Sequence, residues 1–88
     1  MAGILTFQVT LTGTAQQVPS QPNQGKALTI SNPTGNADVT ISSSAANNAT
    51  TGFILPGSSV VTIEGLTDTG SLWVNGTATQ KITGIAAN

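Results

Sequence analysis

The chain has 88 residues, which is room for one domain, and five of them, Lys26, Asp38, Glu64, Asp68 and Lys81, carry all its charge, 6% for a net −1. Solubility therefore falls to Thr, Ser, Asn and Gln, which supply 36 of the 88 residues, where an ordinary soluble domain has about a quarter charged. With no His, Cys, Tyr or Arg the chain lacks a general base near neutral pH, a thiolate nucleophile and soft metal ligands, and two scattered Lys cannot neutralise nucleic acid or hold an anionic membrane.

The first segment, Leu5 to Thr12, alternates Leu5, Phe7, Val9 and Leu11 with Thr6, Gln8, Thr10 and Thr12, the period of a long half-buried strand. Its place at the terminus suggests an extended arm over residues 1–12. Gly13 to Gly25 is polar and holds Pro19 and Pro22, which exclude a central strand, although Gln16 to Pro19 can form a short extended piece. Lys26 to Asn32 and Ala37 to Ser42 follow, joined by Asn32-Pro33-Thr34-Gly35 with Pro and Gly at favoured turn positions. A hairpin looping through Pro33 to Asn36 would set Ile30 beside Val39, Leu28 beside Ile41 and Thr29 beside Thr40. A one-residue slip would turn the core face to solvent.

Ser43 to Thr51 is a small-residue, low-complexity loop. Gly52 to Leu55 and Ser59 to Glu64 read as strands flanking a turn at Pro56-Gly57, where Pro presets φ and Gly accepts a positive one. Gly65 to Gly70 reads as another connection. A last hairpin is expected from Ser71 to Val74 and Ala78 to Ile85, turning at Asn75-Gly76, and a three-residue loop would group Leu72, Val74, Ala78 and Ile82. About seven short strands with Gly, Pro or Asn at each junction predict an all-β fold, a compact antiparallel β-sandwich or small barrel, as a single domain over residues 1–88.

Met1 to Val9 has no positive flank, and the longest aliphatic and aromatic run, Phe53-Ile54-Leu55, is too short to span a bilayer. A soluble chain made in the cytosol is the expectation. Without disulfides, a domain this small needs packing or neighbouring chains to stabilise it, which points to self-association, as a trimer at a symmetry axis.

Val9-Thr10-Leu11-Thr12-Gly13-Thr14-Ala15 with Val18-Pro19, then Leu28-Thr29-Ile30-Ser31-Asn32-Pro33-Thr34-Gly35-Asn36-Ala37, then Gly52-Phe53-Ile54-Leu55-Pro56-Gly57-Ser58, then Leu72-Trp73-Val74-Asn75-Gly76-Thr77-Ala78 together form a familiar order. It resembles small all-β virion proteins of tailed bacteriophages, among them capsid decoration or cement subunits and small tail-associated modules. The resemblance spans Val9 to Ile82 and is carried by turn and strand motifs. It implies a non-enzymatic virion protein that oligomerises on the particle, and it transfers no catalytic residue and no cofactor.

Individual candidates are few. Glu64 and Asp68 with Asn75 could offer oxygens to calcium, but no calcium-loop spacing is present, and the plainer reading leaves Glu64 on a solvent face and Asp68 organising the turn before Gly70. No metal site is expected. A desolvated Lys81 beside a Ser or Thr could in principle act as a nucleophile pair, without any supporting context. Asn48-Ala49-Thr50 and Asn75-Gly76-Thr77 match a glycosylation triplet that carries no meaning in a bacterial product. Thr-x-Thr pairs occur without the constant period an ice-binding array would need. Trp73, between Leu72 and Val74, is expected to face outward as an interface anchor, against the alternative of a core position.

The function expected is structural: a decoration or cement subunit on the capsid surface of the virion, clamping the major coat protein and its own copies. Its contacts are assigned to Leu5, Phe7, Val9 and Leu11 of the terminal strand and to Trp73. The alternative is a tail or fibre module binding a host-surface glycan through Trp73 and amide side chains.

Overall fold

The computed structural model describes residues 4–20, 22–45 and 52–87. In chain order these form β1 (Ile4–Thr10), β2 (Gln16–Gln17), β3 (Pro22–Asn32), β4 (Val39–Ser42), β5 (Phe53–Leu55), β6 (Ser59–Asp68), a short 3-10 turn (Thr69–Ser71), β7 (Trp73–Asn75) and β8 (Lys81–Ala87). The strands make two antiparallel four-stranded sheets, a long one ordered β1-β8-β3-β6 and a short one ordered β2-β7-β4-β5. The all-β sandwich expected from period and composition is the fold found.

The pairing is nested. β1 pairs with β8, β2 with β7, β3 with β6 and β4 with β5, and the contacts β3–β8 and β4–β7 then close each sheet. That is a long antiparallel hairpin rolled over on itself, the connectivity of a jelly roll. Pro19 follows the two-residue β2 at a sheet edge, but Pro22, read as excluding a central strand, begins β3 between β8 and β6, its missing donor tolerated because β8 pairs with β3 only from Leu28 onward.

The strand faces follow the alternation. Val9, Leu11, Val18, Leu28, Ile30, Val39, Ile41, Leu55, Leu72, Val74, Ile82 and Ala86 form one buried cluster between the sheets, with Phe7, Val61, Ile63 and Leu66 packed at its margin. Each burial of such a side chain is worth about 1.5–3 kcal/mol, so this cluster supplies the main drive to fold.

Every short turn read as a hairpin is instead a crossover between sheets. β3 pairs with β6 and β8, while β4 lies in the other sheet, so Ile30 and Val39 meet through the core and are not cross-strand neighbours. The same holds for the hairpin read at Asn75-Gly76, between β7 and β8, and the turn at Pro56-Gly57, between β5 and β6, likewise crosses from one sheet to the other. The physical reason is that inward alternation satisfies two arrangements equally: side by side at about 5 Å, or face to face at about 10 Å. Turn residues report that the chain reverses, and they are silent on which sheet receives it.

Details of the turns moved accordingly. Positive φ falls on Ser58 (67°) and Thr79 (74°), one and three residues beyond Gly57 and Gly76. Ala78 is exposed and does not join Leu72, Val74 and Ile82 inside. β6 runs on to Asp68 through the stretch read as a connection, because Gly65 (φ 78°) accommodates a register shift where Lys26 faces Leu66 but Leu28 faces Ile63. The loop read at Ser43 to Thr51 joins the paired strands β4 and β5, and its residues 46–51, with Asn48-Ala49-Thr50, lie outside the described residues.

A polar latch holds the three crossovers together at one end of the sandwich. Fully buried Asn32 donates through Nδ2 to the carbonyls of Ala37 (3.0 Å) and Leu55 (2.9 Å), and its Oδ1 accepts from Asn36 Nδ2 (3.0 Å). Asn36 Nδ2 also donates to the Lys81 carbonyl (2.8 Å), and the Ala37 N–H donates to Gln80 Oε1 (2.9 Å). The Ser58 N–H closes the set on the Asn32 carbonyl (2.8 Å). Elsewhere, Asp68 Oδ1 accepts from the Gly70 N–H (2.7 Å) and Ser20 Oγ (2.8 Å), so this carboxylate does organise the turn before Gly70.

Candidate assembly surfaces

The outer face of the long sheet is built by the residues that alternate with the core. Reading across β1, β8, β3 and β6, one row is Thr6, Ile85, Thr29 and Thr62, and the next is Gln8, Thr83, Ser31 and Val60. Those eight positions carry no charge, and five are hydroxyl side chains, with Thr29 Oγ1 and Thr62 Oγ1 sharing a hydrogen bond (3.0 Å). Ile85 and Val60 stand exposed within the rows, and Ile4 beyond the Thr6 row, with exposures from 47% to 73%. Six of the eight are polar, as the solvent face of an antiparallel sheet ordinarily is, but the polarity comes from hydroxyl and amide groups in place of charge.

The second surface is β5. Among the described residues it pairs on one side only, with β4, and both Phe53 (58%) and Ile54 (44%) are exposed. Among the described residues no strand lies against its other edge, which stands beside two large apolar side chains, the combination that invites another strand.

The residues assigned to partner contact from sequence are placed differently. Residues 4–10 form an edge strand of the long sheet paired along their length with β8, and do not project as an arm. Val9 and Leu11 belong to the chain's own core, and the Phe7 ring lies over Gly84, its cross-strand partner. Leu5 sits opposite Ala86 in that pairing, its side chain lying outside the described residues. Alternation that points one face inward leaves Ile4, Thr6, Gln8 and Thr10 exposed on the other. Trp73 is half-buried on the outer face of the short sheet, between Gln17 and Ser42 in register, while Leu72 and Val74 are buried. It is therefore neither core nor a bare anchor, and it is remote in topology from the long-sheet face.

The exposed apolar residues were missed, although a signal for two groups of them was present. A half-buried strand alternates, so Phe53-Ile54-Leu55 and Val60-Val61, being consecutive, must turn an apolar side chain outward. Ile4 and Ile85 had no such signal.

No protein-family model matches the chain, and no curated protein does. Among solved structures it is similar to a chain from Bacillus endospore appendages, a novel family of disulfide-linked pili, with a TM-score of 0.52 at 16% identity, covering 98% of this chain and 86% of that one. A cupin superfamily protein from Desulfitobacterium hafniense is also similar, at a TM-score of 0.46 and 12% identity, covering 96% of this chain and 76% of the other. At such identities the likeness concerns the fold alone.

Proposed function

We propose that this chain is a non-enzymatic structural subunit of a tailed-bacteriophage virion, a decoration or cement protein that attaches to the coat shell and strengthens it. The observation that carries the reading is the open, apolar β5 edge together with the two uncharged rows on the outer face of the long sheet, surfaces suited to protein neighbours. The resemblance to small β proteins of phage virions supplies the kind of particle. The similar chain from disulfide-linked pili shares the fold at low identity, and this chain, having no Cys, would have to assemble without disulfides. Jelly rolls serve capsids and lectins alike, and the fold by itself favours neither.

In this reading β5 lends its edge to a coat strand, with Phe53 and Ile54 buried on contact. Incubation of purified protein with empty coat shells, followed by sedimentation of the shells, is expected to show saturable attachment. Changing Phe53→Ser and Ile54→Ser together should weaken attachment by about 2 kcal/mol or more, roughly thirtyfold, with the melting temperature nearly unchanged because both side chains are already exposed. Wild-type attachment with no loss in that variant would remove β5 from the contact.

Attachment should also resist salt. Five charges cannot build an electrostatic interface, so raising salt from about 0.05 to 1 M, which shortens the Debye length to about 3 Å, should leave shell occupancy unchanged. Release at high salt would contradict the uncharged contact.

A second reading rests on Trp73, whose ring shares the outer face of the short sheet with Gln17, Ser42 and Asn75, an aromatic and amide set that suits a sugar. Binding to host-surface glycans that Trp73→Ala abolishes, with no attachment to shells, would decide for it.

A further inference from the structure

We infer that a second copy of this chain covers the outer face of the long sheet across a two-fold axis, with Lys81 of each protomer seated against the partner's Glu64. This goes beyond the virion reading and holds for the isolated protein.

The argument begins with where the charges are. Two complete rows of the face, Thr6-Ile85-Thr29-Thr62 and Gln8-Thr83-Ser31-Val60, are uncharged. Lys81 lies past the second row, on β8 opposite Thr10, and Glu64 lies past the first row, on β6 two residues beyond Thr62. Both are exposed. They occupy opposite ends of the face on strands separated by β3, roughly 22 Å apart at ordinary strand spacing, so they cannot pair within one chain. Of the other charged residues, Lys26 lies beyond the register shift in β3, Asp38 in the crossover before β4, and Asp68 at the far end of β6 opposite Pro22. The face is thus neutral in its middle, with one cation and one anion at opposed margins.

A two-fold axis lying between two such faces exchanges their corners. Lys81 comes over the partner's Glu64, and Glu64 comes under the partner's Lys81, so both charges are satisfied by one operation. The β-branched middles pack as two sheets do in a sandwich, at about 10 Å, with Ile4, Ile85 and Val60 taken out of water. Four strands at about 4.8 Å and seven residues at about 3.4 Å give a footprint of about 450 Å² per protomer. Doubled, that is about 900 Å², less than the roughly 1,200–2,000 Å² of stable complexes and of the size of weak, reversible ones, so the dimer is a dissociating one. The reciprocal placement of the charges favours this two-fold contact over the three-fold arrangement expected from size alone.

The test is sedimentation equilibrium of the full chain across the micromolar range. The wild type should fit a monomer–dimer equilibrium. Lys81→Glu and Glu64→Lys should each weaken dimerisation about tenfold or more, since each places like charges together at both ends of the contact. An equimolar mixture of the two variants should regain the wild-type affinity, because every contact between unlike partners is then opposite in sign, and the double variant carrying both changes should do the same. Circular dichroism should show all variants folded, both positions being exposed. A monomer at every concentration, a trimer, single variants that dimerise like the wild type, or a mixture that stays monomeric would each overturn the inference. No shells are used, so failure here is distinct from failure of the virion reading.

Discussion

Replacing Asn32 with Ala is expected to lower the unfolding free energy by about 3 kcal/mol, enough to reduce the melting temperature by about 15 °C in a domain of this size. The side chain is fully buried at the junction of β3 with the crossovers, and it serves three partners: the Ala37 and Leu55 carbonyls and the Asn36 amide. Truncation leaves the carbonyl of Leu55, itself a buried residue, without this donor, and leaves the Asn36 amide without one of its acceptors. A buried polar group left unsatisfied costs about 1–3 kcal/mol. Asn36→Ala should cost less, about 1 kcal/mol, since Asn36 is only half-buried and water can replace it. Thermal unfolding followed by circular dichroism gives both values. Equal effects from the two substitutions, or a shift of only a few degrees for Asn32→Ala, would show that the latch is not what joins the crossovers.

Gly57→Ala should be comparably damaging, at about 3 kcal/mol, the upper part of the range for overpacking. A Cβ at this position would fall on the Asn36 carbonyl oxygen, a backbone atom that cannot rotate away. Relief requires the crossover before β4 to separate from the crossover after β5, which strains the bond from the Ser58 N–H to the Asn32 carbonyl. Gly35→Ala provides the contrast. Its Cβ would meet nothing, and the cost is confined to a φ of 91°, about 1 kcal/mol. If urea unfolding ranked Gly35→Ala as the worse of the pair, the close approach at Gly57 would not be a structural constraint.

These two substitutions concern the part of the molecule least visible in its sequence. Alternation was enough to put Leu28, Ile30, Val39, Ile41, Val74 and Ile82 inside, because burial of one face is a local property of a strand. The class of fold followed from that pattern and from Gly, Pro and Asn at the junctions. The partner of each strand did not follow. Pro33 with Gly35, Pro56 with Gly57, and Asn75 with Gly76 all mark reversals, and a reversal can lead into the same sheet or the facing one. What selects the facing sheet is a set of long-range bonds through Asn32, Asn36, Gln80 and Ser58, none of which has a sequence signature.

The assembly surfaces show the same division. The terminal strand was picked out for its apolar alternation, yet that alternation sends Val9 and Leu11 into the chain's own core and leaves its Thr and Gln side exposed. Phe53-Ile54 and Val60 could have been found from consecutive apolar residues that no half-buried strand can hide. The two rows of the long-sheet face could not, since they bring together residues from four strands whose register depends on the crossovers.

The measurement that bears most directly on a structural role at the capsid surface is a low-resolution map of the particle that carries this chain, compared with a map of particles from which it has been removed. The difference density should appear on the outer shell, in copies related by the shell's symmetry, each lobe having the 36 × 25 × 17 Å dimensions of the domain. Difference density confined to the tail, or identical maps, would contradict a decoration or cement function.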